Sequence, residues 1–279
     1  MLLAILCLVA KQPFLEVRNA REICSTRGSI YVLASGPGSS LDTLHAFNFK
    51  GVPTSSWRVP HGSYIVGVSS SGNPLLGTQH YVSMYSKGSQ SIEQNRPLPE
   101  RIFLESSVLL RYTGKNLILE QPALSVIEGV TLFDAFCPDT DSNELILLKN
   151  VKNSLQVDIY SLSKAILLRR SKITVSKEWS KISLLSKSVV PIGKQLYFCI
   201  VEGESVSGKK KVYFVALNSV QGSLNIVYDA TAGFPGFATM NELLTFRQIA
   251  TLPSGDILML STRGVERITL TSSTSWKKL

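Results

Sequence analysis

The sequence predicts an all-β fold, on three observations. Short β-branched and aromatic runs recur along the chain, the runs pair across polar Gly-containing turns, and a faint repeat returns at the spacing of a small sheet. The runs include Ser29–Ser35, Thr43–Phe49, Tyr64–Ser69, Tyr81–Tyr85, Ser107–Tyr112, Asn116–Glu120, Glu144–Lys149, Leu155–Ser161, Gln195–Val201, Lys211–Leu217, Asn225–Tyr228 and Asp256–Ser261. Several alternate apolar and polar residues with period two, as half-buried strands do. In Leu155–Ser161 the alternation of Leu155, Val157 and Ile159 with Gln156, Asp158 and Tyr160 predicts one wet face. A helical period is best matched at Met240–Ile249, which is short.

The runs come in pairs. Ser29–Ser35 and Thr43–Phe49 flank a Gly/Ser/Pro turn, Gln195–Val201 and Lys211–Leu217 flank a Gly/Ser turn, and Thr113-Gly114-Lys115 separates Ser107–Tyr112 from Asn116–Glu120. These read as antiparallel hairpins, with Gly supplying the positive φ that tight turns require. The repeat relates Phe47–Gly51 to Met84–Gly88, 37 residues on, and its lysine recurs at Lys164, another 77 residues on, or about two such steps. Ala216-Leu217-Asn218 followed by Gly222 closes a further strand in a similar way. Four-stranded propeller blades repeat at roughly 40 residues. The pattern therefore predicts a β-propeller of about six to seven blades, or part of a larger one, over residues 11–279. Another β meander or a sandwich also fits paired hairpins.

Composition agrees with a packed domain. The chain is 44% hydrophobic and 18% charged, which excludes an intrinsically disordered segment. Its net charge of +9 is concentrated: Lys149–Lys187 holds nine basic residues against Asp158 and Glu178, and so carries seven of the nine net charges. The adjacent Arg169 and Arg170 must point to opposite faces if they lie in a strand. Arg169, Arg170, Lys172, Lys177 and Lys181 are the candidate interaction surface, for an acidic protein or an anionic membrane. Tyr160 and Trp179 are the only aromatic residues among the basic ones, too few for a run of stacking platforms, which disfavours single-stranded nucleic acid. The alternative is a solvated strand face whose lysines discourage edge aggregation.

The search for chemistry predicts no catalytic, cofactor or metal site. There is no GxSxG elbow, GxGxxG turn, P-loop or HExxH helix. His45, His61 and His80 lie far apart in sequence, with no carboxylates at ligand spacing. The acidic stretch Asp134–Asp141 lacks the alternating ligands and central Gly of a calcium loop. Cys7, Cys24, Cys137 and Cys199 form no CxxC pair, so a structural zinc is not expected. Trp57 and Trp179 are expected to pack within sheets. Residues 1–10 form an apolar run too short to span a bilayer; it reads either as the core of a secretory signal or as a first buried strand. The C-terminal stretch shows no closing strand.

One local pattern carries a family resemblance. Ala46, Asn48, Gly51 and Trp57 resemble the strand-end motif of quinoprotein-type propeller repeats, with the spacing changed by one residue on each side of the glycine. Ala216, Asn218 and Gly222 keep the usual spacing, with Ile226 at the tryptophan position. The degenerate form over Ile30–Val59 is similar to the lumenal propellers of subunit 1 of the endoplasmic reticulum membrane protein complex. Bacterial outer-membrane assembly propellers resemble it too. The resemblance implies a non-enzymatic scaffold that binds protein partners in a larger complex for membrane-protein insertion or folding. It implies the endoplasmic reticulum lumen or secretory pathway if residues 1–10 are a signal; otherwise the expected location is cytoplasmic. Two further expectations stand beside it, a basic-surface binder of anionic lipid or nucleic acid and a quinoprotein-type enzyme.

Overall fold

A computed structural model describes residues 3–5, 13–26, 28–36, 38, 41–68, 73–78, 82–86, 89–94, 102–105, 108–112, 115–121, 125–130, 133–139, 142–151, 154–174, 179–232, 234, 248–272 and 277–278. Among these residues there are strands and turns and no helix. A two-stranded sheet joins β1 (Leu3–Ile5) to a late strand. The other strands form six antiparallel sheets in series, each a meander of sequence neighbours. Sheet 1 contains β2 (Ala20–Ser25), β3 (Ile30–Ala34), β4 (Leu41–Phe47) and β5 (Pro53–Pro60). Sheet 2 contains β6 (Tyr64–Val68), β7 (Pro74–Gly77), β8 (Val82–Ser86) and β9 (Ser89–Gln94). Sheet 3 contains β10 (Ile102–Glu105), β11 (Val108–Tyr112), β12 (Leu117–Gln121) and β13 (Ser125–Ile127). Sheet 4 contains β14 (Ala135–Asp139), β15 (Glu144–Val151), β16 (Ser154–Ser161) and β17 (Leu167–Thr174). Sheet 5 contains β18 (Trp179–Gly193), β19 (Leu196–Ser205), β20 (Lys210–Asn218) and β21 (Ser223–Asp229); sheet 6 contains β22 (Ile249–Thr251), β23 (Ile257–Ser261) and β24 (Gly264–Ile268). β25 (Leu270–Ser272) is the partner of β1, and β26 (Lys277–Lys278) adds to the edge of β21.

Period two explains how the sheets stack. Successive residues of a strand face opposite sides of its sheet. In β3, Ile30, Val32 and Ala34 join a core shared with sheet 6, while Tyr31 and Leu33 join a core shared with sheet 2. In β15, Leu145 and Leu147 face sheet 3, and Ile146 and Leu148 face sheet 5. In β19, Tyr197, Cys199 and Val201 face sheet 4, and Phe198 and Ile200 face sheet 6. In β23, Ile257 and Met259 face sheet 5, and Leu258 and Leu260 face sheet 1. Each such side chain, fully buried, contributes roughly 1.5–3 kcal/mol. The first strands also meet: β2 contacts β6, β6 contacts β10, β14 contacts β18, β18 contacts β22, and β22 contacts β2.

The last sheet is completed by the start of the chain. Leu15 pairs antiparallel with Val265 of β24, with Leu15 N–H donating to the Val265 carbonyl at 3.1 Å and Val265 N–H donating to that of Leu15 at 2.9 Å. Leu15 and Val17 are buried in the core that sheets 1 and 6 share. Arg267 lies over the ring of the adjacent Phe14, 5.4 Å from its centroid. Two glycines make room for this segment. A Cβ on Gly51 would lie 3.3 Å from Leu15 Cδ2, and one on Gly264 would lie 2.1 Å from the Leu15 oxygen and 2.8 Å from the Val17 nitrogen.

The predicted hairpins form with Ile30 opposite Phe47 and Leu196 opposite Asn218. The faint repeat marks the turn between the third and fourth strands of sheets 1, 4 and 5; in sheet 2 residues 87–88 lie outside the described residues. In two of these turns an asparagine side chain caps the loop. Asn48 Oδ1 accepts from the N–H groups of Lys50 and Val52, and Asn218 Oδ1 accepts from those of Val220 and Gln221. Two expectations need correction and a third falls mostly outside the described residues. Leu155–Ser161 has no wet face, because Asp158 and Tyr160 are buried. The C-terminal stretch does supply strands, β25 and β26. Of the helical candidate Met240–Ile249, residues 240–247 lie outside the described residues and Ile249 begins β22.

Gly264→Ala is expected to lower the unfolding free energy by about 3 kcal/mol, since its φ is +137° and its Cβ would collide with the closing backbone. Gly28→Ala, whose Cβ meets nothing within 4 Å, is expected to change it by less than about 0.5 kcal/mol. Urea unfolding of the two variants decides this; an unchanged midpoint for Gly264→Ala rejects the closing contact.

Candidate functional site

Three of the five predicted surface residues lie on β17, the outer strand of sheet 4. Antiparallel pairing sets Asp158 opposite Arg170, Ile159 opposite Arg169 and Gln156 opposite Lys172. A β-bulge falls between the pairs Ile159–Arg169 and Tyr160–Leu167, and Leu168 is the extra residue. As adjacent strand residues should, Arg169 and Arg170 go opposite ways. Arg170 forks onto the buried carboxylate of Asp158, Nε to Oδ1 at 2.7 Å and Nη2 to Oδ2 at 2.9 Å, and Gln156 Nε2 adds a 3.0 Å bond to Oδ2. The Asp158 hydrogen bonds, reinforced by its charge, raise the Arg170 pKa. Arg169 reaches sheet 5, where Nη1 donates to the Ser219 carbonyl at 3.1 Å. Lys172 is exposed and has no ion-pair partner among the described residues.

The remaining two residues do not join this edge. Lys181 lies on β18, the first strand of sheet 5, and Lys177 lies outside the described residues. Sequence reasoning also missed what precedes the arginines. Ile166, Leu167 and Leu168 are exposed by 52%, 44% and 52%, three consecutive large apolar side chains in solvent. The signal was present as an apolar triplet against Arg169, but a core strand gives the same triplet. Only the position of β17 at the rim of its sheet separates the two.

The histidines are placed separately. His45 is half-buried in β4 and its pKa is lowered by that burial and by Arg58. His61 sits in the turn between sheets 1 and 2, with Nδ1 3.0 Å from Asp42 Oδ1, a carboxylate partner that sequence spacing did not reveal. His80 lies outside the described residues. Asp42 is fully buried and also accepts from Arg21 Nη2 at 2.6 Å and Gly62 N–H at 3.1 Å, while Arg21 bonds the Ser63 carbonyl across the seam. Burial opposes ionisation of Asp42, but the His61 bond, Arg21 and the Gly62 amide outweigh it and hold the pKa below the ordinary carboxylate range. Asp256 is lowered too: burial opposes its ionisation and Arg267, Ser254 and Thr269 outweigh it.

Asp139 and Glu144 are buried partners in the β14–β15 pairing, and both accept from the Tyr197 hydroxyl, at 3.3 and 3.4 Å. Burial, and then the Asp139 charge, push the Tyr197 pKa far up. Among the described residues no three His, Cys, Asp or Glu side chains gather as metal ligands. Trp57 is half-buried against the core between sheets 1 and 2.

No family model and no curated protein sequence matches the chain. Solved structures match in fold. The luciferin-regenerating enzyme is 8% identical, covers 99% of this chain and 97% of its own, and superposes with a TM-score of 0.51. The WD40 domain of coronin from Toxoplasma gondii is 9% identical, covering 98% of this chain and 79% of its own at a TM-score of 0.48. A quinoprotein alcohol dehydrogenase-like protein from Bacteroides thetaiotaomicron is 10% identical, covering 93% and 67% at a TM-score of 0.42. The chain is all-β and built of repeated sheets, most of them four-stranded.

The Asp42 cluster predicts a pH dependence. A carboxyl whose folded pKa lies below the unfolded value of about 3.9 stabilises the fold fully above that value and loses its contribution as pH falls through the folded one. Asp42→Asn is therefore expected to lower the melting temperature at pH near 6 and to flatten its decline below about pH 4, leaving the share that Asp256 supplies. Parallel acid limbs in melting curves of the two proteins would show that Asp42 is not held low.

Proposed function

We propose that this chain is a six-bladed β-propeller without catalytic function, and that its rim at β17 binds a protein partner. The single observation that carries the binding role is the exposed Ile166-Leu167-Leu168 triplet beside Arg169 and Lys172 on an outer strand. Large apolar side chains in solvent next to unneutralised cations mark an interaction surface more often than a solvated face. The propeller reading is supported by the two-sided cores, the meeting first strands and the Leu15–Val265 pair that joins start to end. The candidate rim and the carboxylates committed to arginine, histidine and tyrosine partners favour scaffold over enzyme.

The narrower reading is a scaffold subunit of a complex for membrane-protein insertion in the endoplasmic reticulum. It is supported by Ala46, Asn48, Gly51 and Trp57, whose turn is the capped one between β4 and β5. A second reading, binding to an anionic membrane surface, draws on the same cations beside the same apolar triplet.

Electrostatics of this kind mainly speeds association and selects partners. The charge-reversal test must spare Arg170, because a glutamate there would face the buried Asp158. A photo-crosslinking side chain at Leu167 is expected to give discrete protein adducts in cells. Lys172→Glu should reduce their yield several-fold, and the same probe at Val52, an exposed position in the turn between β4 and β5, should give none of them. Adducts to lipid or nucleic acid alone, or identical adducts at both positions, reject the protein-binding role.

A further inference from the structure

We infer that the outer edge of β17 takes up an extended acidic segment of a partner protein as an added strand, so that the partner is held by backbone pairing as well as by charge. The inference rests on the protein-binding reading above and goes beyond it in the mode of recognition and the chemistry of the partner segment.

Four observations point the same way. First, β17 ends its sheet, and among the described residues no strand pairs with its outer side. An outer strand presents a row of backbone N–H and C=O groups, the template for strand addition. Second, this architecture already accepts added strands at such positions. β26 pairs with the edge of β21 through Asn225–Lys278 and Ile226–Lys277, and Leu15 pairs with the edge of β24. Third, β17 is only partly protected as an edge. Lysine and arginine guard Arg169–Lys172, but Ile166–Leu168 is bare, and the bulge at Leu168 turns an extra leucine out. Val220, exposed by 50%, follows the Ser219 carbonyl to which Arg169 is tied, so the neighbouring turn adds a further apolar side chain beside the edge.

The fourth observation is charge. From Lys164 to Thr174 the chain has four basic residues and no acidic one. Only Arg170 is neutralised, by Asp158. An incoming strand with carboxylates meets Lys164, Arg169 and Lys172, whereas a basic or purely apolar strand meets uncompensated cations. Such selection against the wrong partner is how an open edge stays specific. The uncommitted cations lie on both faces of β17, Arg169 on one and Lys172 on the other, and they follow the apolar side chains along the chain, so the edge calls for a segment with an aliphatic half against Ile166–Leu168 and an acidic half against Arg169–Lys172.

The test uses the full chain and four synthetic peptides, read by fluorescence anisotropy. One joins a short run of valines to a short run of glutamates, one replaces each glutamate with lysine, and two keep the acidic sequence with N-methyl groups on alternate backbone amides, in opposite phases. The acidic peptide is expected to bind. The lysine peptide and the peptide N-methylated in one phase are each expected to bind at least tenfold more weakly, N-methylation in the opposite phase much less so. Lys172→Glu and Leu168→Asp, both at exposed positions, should each weaken the acidic peptide about tenfold while the melting temperature stays within a few degrees. The amides of Leu167–Thr174 should exchange more slowly in the complex. Equal binding of the N-methylated acidic peptide in both phases would overturn strand addition while leaving an electrostatic dock. Equal binding of the lysine peptide would overturn the acidic specificity. No binding of the acidic peptide, with protein adducts at Leu167 still formed in cells, would overturn this inference and leave the protein-binding reading standing; no peptide binding and no adducts would reject both.

Discussion

The middle strands of these sheets are apolar on both faces, and the rest of the fold follows from that. A sheet with one apolar face can rest on a single partner and leave the other face in water. Here β3, β15, β19 and β23 each send alternate residues into two different cores. Each of these sheets therefore needs a neighbour on both sides, which a linear stack cannot supply at its ends. Sheets 1 and 6 meet this need by packing on each other, and the segment Leu15–Val17 lies in their shared core. The backbone collision a side chain would cause at Gly264 shows how tightly that joint is made.

Polar chemistry is arranged around the same seams. Buried carboxylates are costly unless they are paired and hydrogen-bonded. Asp42 meets Arg21 and His61 where sheet 1 passes to sheet 2. Tyr197 of sheet 5 bonds Asp139 and Glu144 of sheet 4. Within single sheets, Arg170 holds Asp158 and Arg267 holds Asp256. Arginines that look on paper like one basic patch are thereby divided between structure and surface. Arg170 is committed to Asp158, Arg169 braces the neighbouring turn, and Lys172 stays in solvent. The exposed cationic face is smaller than the charge run Lys149–Lys187 suggested, and beside it Ile166, Leu167 and Leu168 stand in solvent.

Much of the fold was legible in the sequence. The strand runs at Ser29–Ser35, Gln195–Val201 and Lys211–Leu217 became β3, β19 and β20, because β-branched and aromatic residues bounded by turn formers have few other uses. The repeat at Lys50 and Lys164 falls in the turn between the third and fourth strands of sheets 1 and 4, while Lys87 lies outside the described residues; the related Asn48 and Asn218 positions are legible because each asparagine caps such a turn. What was illegible depended on which strand is a neighbour in space. Asp158 looked like a solvent residue because alternation says which residues share a face, and does not say what covers that face. β18 was missed as a fifteen-residue strand because its bulges at Trp179/Lys181 and Leu184/Val189 break the period. Lys181 fell with it, onto a first strand away from the rim. The closing role of Leu15 had no local signal, since a pairing across 250 residues leaves none in the sequence around either partner.

Where the faces of sheets 1, 4, 5 and 6 are buried against neighbours, their outer edges leave backbone groups and side chains in solvent, and among the described residues β17 combines an exposed apolar run with the uncommitted Lys172. Native-state hydrogen exchange at the Leu15 and Val265 amides tests the closure most directly. If start and end are joined through a shared core, both amides exchange only with the slowest amides of β3 and β19, at the free energy of global unfolding. Exchange of these two amides at a much lower free energy, with β3 and β19 still protected, would contradict a closed array.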